Sequence, residues 1–293
     1  MGQESQIGAP MPEERVDGLS NAMAPTAGEA IDPVAMARRD LQKSLPKRFY
    51  AEAKAVAQDG AFVVLLDGRV TRTPARNKLA LPSLAAAEAI AAEWARQEAV
   101  IDPAVMPLTR LSNSAIDGVV GALEATAEEI VKYAESDLVC YRAGEPDALT
   151  QAQAEAWDPV LAFARDQLGA RFICAEGVIF VAQPESARRA VQDAVAGVVN
   201  SGAAAPFALA ALNVMTTLTG SALLALAVAH GELTPARAWA AAHVDEDFQM
   251  QIWGADEEAM RRRARRWDEM EAAAKLWEFV RQSFGQAVDE RPL

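Results

Sequence analysis

Between Asp193 and Glu232 the chain carries no aspartate, glutamate, lysine or arginine. About 20 apolar residues suffice to cross a bilayer, so residues 194–231 must either span a membrane or be buried inside protein. Asn200, Ser201, Asn213, Thr216, Thr217, Thr219 and Ser221 punctuate the run, while Pro206 and the Gly220-Ser221 pair divide it. The pattern predicts two shorter helices forming a buried hairpin at the centre of a bundle. Such a hairpin needs cover. Amphipathic helices at "TQAQAEAWDPVLAFARDQLG" and "PESARRAVQDAVAGVVNS" supply some of it, with "ARFICAEGVIFVAQ" read as a short β-hairpin between them.

The start of the chain has a different character. Residues 1–37 hold Glu4, Glu13, Glu14, Asp17, Glu29 and Asp32 against the single Arg15, the reverse of an organelle transit peptide. A mobile tail is expected over residues 1–45. After it, "KRFYAEAKAVAQ" and "AFVVLLDGRVTRTP" read as strands punctuated by Asp59-Gly60 and Asp67-Gly68. Asp-Gly between apolar runs is a strong hairpin signal, because both central residues of the tight turn need positive φ. "KLALP" adds a short strand, Ser83 stands where a helix cap belongs, and Pro103 and Pro107 end the helix that follows. The fold class expected is α+β. A small N-terminal antiparallel β-containing domain (46–104) precedes a larger, mostly α-helical bundle domain (105–285), with a C-terminal tail over 286–293.

A formal charge of −13 argues against nucleic-acid and anionic-membrane partners, which need clustered cations. Cys140 and Cys174 lie in apolar contexts and read as small buried hydrophobes, with no disulfide. No glycine-rich phosphate loop, GxSxG elbow, HExxH or EF-hand loop is present. The expectation is a protein without enzymatic activity, cofactor or metal.

One stretch, "LTPARAWAAAHVDEDFQMQIWG", concentrates the polar interest. Thr234 as cap, Pro235 at the first position and Gly254 as stop predict one helix from Pro235 to Trp253. Seven residues make nearly two turns, so Trp239, Glu246 and Trp253 are expected on one side, beside Gln249 and Met250. Asp245 and Asp247 would flank that stripe. His243 and Asp247 have i, i+4 spacing but lack further ligands for a metal. Glu246 could serve as a catalytic carboxylate, pair internally with an arginine of "MRRRARRW", or contact a partner. Trp239 and Phe248 read as core.

Seven blocks then occur in order: "KRFY", "LDGRVTRTPARNKLALP", "AAEWARQEAVIDPAVMPLTRLSNSAID", "YAESDLVCYRA", "WDPVLAF", "TGSALLALA" and "DEDFQMQIWG". In order and spacing, over about residues 46–285, they resemble the ATP synthase assembly chaperone family that binds the alpha subunit of the soluble catalytic sector. The resemblance implies a small β-containing domain and a larger helical one, no chemistry, and an alpha-subunit partner held until beta subunits replace the chaperone. It maps the partner-binding helix onto Asp245, Glu246, Asp247, Phe248, Gln249 and Trp253. The acidic start suits a bacterial, cytoplasmic member, expected to be a monomer without integral membrane association. A small-molecule enzyme using Glu246 in a helical cleft is the alternative.

Overall fold

The structure is a computed structural model, and it describes residues 45–284 except Val178. The tails expected at 1–45 and 286–293 lie outside the described residues, apart from Leu45 itself. Everything described falls in one compact unit beginning at Leu45.

The sheet is built from two tight turns. Strand β1 (Ala53–Gln58) pairs antiparallel with β2 (Ala61–Leu66), with Gln58 opposite Ala61, and β2 pairs with β3 (Arg69–Val70), with Leu66 opposite Arg69. Two residues separate each pair. Asp59 (φ 51°), Gly60 (φ 74°), Asp67 (φ 46°) and Gly68 (φ 78°) all take the left-handed region. This is the type I′ geometry that matches strand twist. Asp67 is held there by accepting hydrogen bonds from the N–H groups of Ala51 (3.0 Å) and Glu52 (2.8 Å). Strand β4 (Ala80–Leu81) pairs with the other end of β2. Val64 of β2 joins the main core, whereas Leu66 packs in a satellite cluster with Tyr50, Ile101 and Met106.

Helix α1 (Leu84–Ala95) lies against β1 and β2 and buries Ala86, Ala87, Ile90 and Ala91. Ser83 occupies its cap position, although its hydroxyl makes no cap bond. The predicted break follows as a short turn at Pro103–Val105, and then helix α2 (Pro107–Asp117) begins. Two side chains tie the sheet layer to α2. The buried Glu93 carboxylate accepts from Leu108 N and Thr109 N (2.8 Å each) and from the Thr109 hydroxyl (2.6 Å). It thereby satisfies the orphan donors at a helix start. At the other end, Asp117 accepts from the Thr73 hydroxyl (2.6 Å), Ala75 N (3.0 Å) and Asn77 Nδ2 (2.9 Å).

The remaining helices are α3 (Leu123–Glu135), α4 (Asp147–Gln167), α5 (Glu185–Val199), α6 (Ala205–Thr219), α7 (Ala222–Ala229), α8 (Pro235–Ala242), α9 (Val244–Trp253) and α10 (Glu257–Arg281). The uncharged run forms the expected buried hairpin. Every residue of α7 is buried, and α6 packs against α2, α3, α5, α7 and α10. Gly220 (φ 67°) turns the chain, and the Ser221 hydroxyl caps α7 by accepting from Leu224 N at 2.9 Å. Gly202–Thr219 is long and apolar enough to cross a membrane, but 61% of it is buried within the protein. Asp137, fully buried, accepts from Leu223 N at 3.0 Å and Val139 N at 3.2 Å. It serves the α7 N-terminus, where a negative charge opposes the helix dipole favourably. Arg110 of α2 pairs with Glu269 of α10 at 3.1 Å.

Two expectations fail here. "ARFICAEGVIFVAQ" is no hairpin, because its strand β6 (Ala175–Glu176) pairs in parallel with β5 (Tyr141–Arg142). The segment has Glu176-Gly177 in place of an Asp-Gly or Asn-Gly turn. It closes not by a strand ladder but through the Gln183 side-chain amide, which accepts from Ile173 N at 2.8 Å and donates to Ile173 O at 2.9 Å. Cys140 is buried as expected, but Cys174 is exposed, as are Ile173, Ile179 and Phe180. Both thiols are free.

Candidate functional site

The acidic stretch does not form one helix. α8 starts as predicted, with the Thr234 hydroxyl accepting from Arg237 N at 3.2 Å, but it ends at Ala242. His243 interrupts it at φ −118°, ψ 18°. The cause is local: His243 Nδ1 lies 2.7 Å from the Trp239 carbonyl oxygen, the acceptor its own N–H would use in a continuing helix. That N–H turns instead to Ala240 O at 3.1 Å. The ring is only 3% exposed and packs against Trp239, tilted by 50° with centroids 4.1 Å apart. Burial holds its basicity below the ordinary imidazole range, despite the hydrogen bond to Trp239 O.

The break explains the three acids. Asp245, Glu246 and Asp247 occupy the first turn of a new helix, α9, where carboxylates complement the helix dipole. It also dissolves the expected stripe. Trp239 is core, 5.8 Å from the Trp267 ring, whereas Trp253 at the far end of α9 is 85% exposed. No residue of α9 is buried, and Phe248, expected in the core, is half-buried on its flank.

The acids then diverge in role. Asp245 Oδ1 accepts from Gln153 Nε2 of α4 at 2.7 Å. Asp247 is paired in a fork with Arg263 of α10, one arm at 3.1 Å, and this pairing raises the basicity of the guanidinium. Of the arginines in "MRRRARRW", Arg263 thus pairs with Asp247, while Arg261 pairs with Glu257 and Arg262 with Glu258. Glu246 is 64% exposed, and the one basic group within 4 Å of it among the described residues is the buried His243 ring, at 3.9 Å from Nε2. Among the described residues no arginine lies within ion-pair distance of Glu246, although its charge adds to the field that raises the basicity of Arg263.

Two grooves border α9. On the α10 side, Glu246, Gln249, Met250 and Trp253 face Arg262, Arg263 and Arg266 across about 450 Å³. On the α4 side, Val244, Asp247 and Phe248 face Ala152, Ala156 and Pro159 across about 670 Å³. The six expected contact residues are thus neighbours in sequence but divided in space, with Asp245 and Asp247 acting as tethers. Sequence reasoning missed Gln153 as a tether. The run of arginines was noticed, but its pairing with Asp247 depends on how α10 folds back. Ile252 (55% exposed) and Met260 extend the exposed apolar surface at the turn between α9 and α10. Among the described residues no group of three or more histidine, cysteine, aspartate or glutamate side chains could hold a metal ion.

Comparison with known proteins is consistent along the chain. The family model for the ATP12 chaperone protein matches residues 47–165. The crystal structure of an Agrobacterium tumefaciens protein, described as a chaperone candidate, is 47% identical. The match covers 85% of this chain and 91% of that one, with a TM-score of 0.77. Atp12 from Paracoccus denitrificans is 40% identical over 80% of this chain and 98% of its own, with a TM-score of 0.73, and a mutant of it matches at 0.74.

Proposed function

The chain belongs to the ATP12 chaperone family, and on that premise we propose that it is an ATP synthase assembly chaperone in a bacterial cytoplasm. It acts as a monomer, binding the unassembled alpha subunit of the catalytic sector and preventing its aggregation until beta subunits replace it. A subunit waiting to enter a ring exposes an apolar interface, which is an aggregation hazard. Covering that interface needs exposed apolar anchors set among charges, with aromatic residues carrying most of the binding energy.

The observation that supports the reading most is α9 itself, a helix with no buried residue that carries a tryptophan 85% exposed. Burying Trp253 and Ile252 against a partner would release apolar surface from water at about 25 cal/mol per Å². Glu246 and Gln249 beside them supply polar selectivity, and the Asp245 and Asp247 tethers keep the helix ordered before binding. Preorganisation of this kind lowers the entropic cost of association. The test is to mix the purified protein with purified alpha subunit and follow light scattering. Suppressed scattering, a stable pair in gel filtration, and release on adding beta subunit are expected. An alpha subunit that aggregates at the same rate with and without the protein would refute the proposal.

A further inference from the structure

The α4-side groove has a chemistry of its own. Trp157 Nε1 donates to Ala241 O at 2.7 Å and Gln153 Nε2 to Asp245 at 2.7 Å, so two buried side chains of α4 set its spacing from α8 and α9. On the neighbouring face of α4, small side chains leave about 670 Å³ open, walled by Leu233, Val244 and Phe248. From Ala148 to Pro159 the wall runs along about 17 Å of helix, or three turns.

The rim is acidic. Glu155 accepts from Gln151 Nε2 at 2.9 Å and Glu232 from Gln167 Nε2 at 3.0 Å. These amides orient the carboxylates without neutralising them. Neither glutamate is in an ion pair among the described residues, whereas Asp247 is already matched by Arg263. Arg237 is the one cation among the described lining residues. An apolar trough edged by two uncompensated carboxylates complements a segment that is apolar on one face and basic at its edges.

We propose that this groove docks a short amphipathic helical segment of the client, seating aliphatic side chains against Phe248 and Leu233 with lysine or arginine at Glu155 and Glu232. The inference rests on the reading of the chain as a subunit-binding chaperone, and it adds a second contact beside Trp253.

The test uses the full chain and two labelled synthetic peptides. Both are about 16 residues long, three turns plus ends, with leucines at helical spacing. One carries lysines along the edges of that face and the other glutamates. The lysine peptide should bind at least about tenfold more tightly than the glutamate peptide. Ala152→Glu, which places a carboxylate on the groove wall, should reduce its binding by a similar factor. Because that change touches a half-buried site, the exposed pair Glu155→Lys/Glu232→Lys gives a second reading, and it should reverse the preference between peptides. Equal binding of the two peptides overturns the proposal. So does the same loss in a distant control, Glu124→Lys/Glu128→Lys on α3, since the attraction would then be general to an acidic protein. A dimer in sedimentation that Ala152→Glu abolishes would assign the groove to a second copy of this chain and also overturn it. Alpha-subunit capture separates the two levels. Capture intact in Ala152→Glu while peptide binding is lost removes the groove from the client interface and leaves the chaperone reading standing. Peptide binding without any alpha-subunit capture by the unaltered protein removes that reading instead.

Discussion

Helices α7 and α9 are similar in length, eight and ten residues, and opposite in everything that holds them. α7 has no charged residue and is buried along its whole length, so the hydrophobic effect fixes it. α9 has no buried residue and is fixed by polar tethers at its first turn, to Gln153 on one side and Arg263 on the other. The contrast teaches that position in this protein is achieved in two ways. Where the surrounding helices close over an element, packing suffices. Where a surface must stay open, a few charge-assisted bonds replace packing and leave the apolar side chains of Trp253 and Ile252 free.

The largest effects should come from α7. Leu224→Ala removes fully buried methyl groups and should cost about 2–5 kcal/mol in denaturant unfolding, because the helices around it can collapse only partly. A loss below about 1 kcal/mol would mean that the hairpin is less tightly enclosed than its burial indicates.

The next effect depends on pH. Desolvation raises the pKa of Asp137 to about 6, against hydrogen bonds from Ser221 and from the Leu223, Val139 and Ala222 N–H groups that lower it. Its folded-state value lies above its unfolded one, so the native state holds the extra proton. Its contribution is therefore fully present below about pH 4 and is lost as pH rises through about 6. Across that window the stability difference between the unaltered protein and Asp137→Asn should change by up to about 3 kcal/mol. Equilibrium unfolding at several pH values checks it, and parallel curves would contradict it. Asp67 and Asp117 run the other way. Backbone N–H bonds from Glu52 and Ala51 lower the first, and the Thr73 hydroxyl leads in lowering the second, so their contributions fade on acidification.

A smaller effect is expected at the tether. Asp247→Ala leaves the half-buried Arg263 without its carboxylate, and should cost about 1–2 kcal/mol. Hydrogen exchange in α9 should rise more than exchange in α7. Uniform loosening of both helices would erase the distinction drawn between them.

How much of this was legible in the sequence follows the range of the interactions. The Asp-Gly turns were readable because their signal and their cause share four residues. The buried hairpin was readable because lack of charge over residues 194–231 leaves few options. The break at His243 was not anticipated, because it depends on an imidazole taking the Trp239 carbonyl. A clue was present even so: three acids in succession mark the first turn of a helix better than its middle. The partition of Asp245, Glu246 and Asp247 into two tethers and one open carboxylate was beyond reach, since it depends on Gln153 and Arg263, distant in sequence. Cys174 was misjudged because an apolar neighbourhood in sequence does not ensure cover in space.

The smallest expected effect on stability is also the centre of the account. Trp253 and Glu246 touch little of the protein, so the double variant Trp253→Ala/Glu246→Lys should unfold within about 0.5 kcal/mol of the unaltered protein. Its affinity for purified alpha subunit, titrated at fixed salt, is the decisive measurement. An anchor that is buried on binding should cost at least about 2 kcal/mol when removed, more than tenfold in Kd. Affinity weakened by that factor with unfolding unchanged is the predicted result. Unchanged affinity in a stably folded double variant would contradict the claim that α9 is held open for recognition.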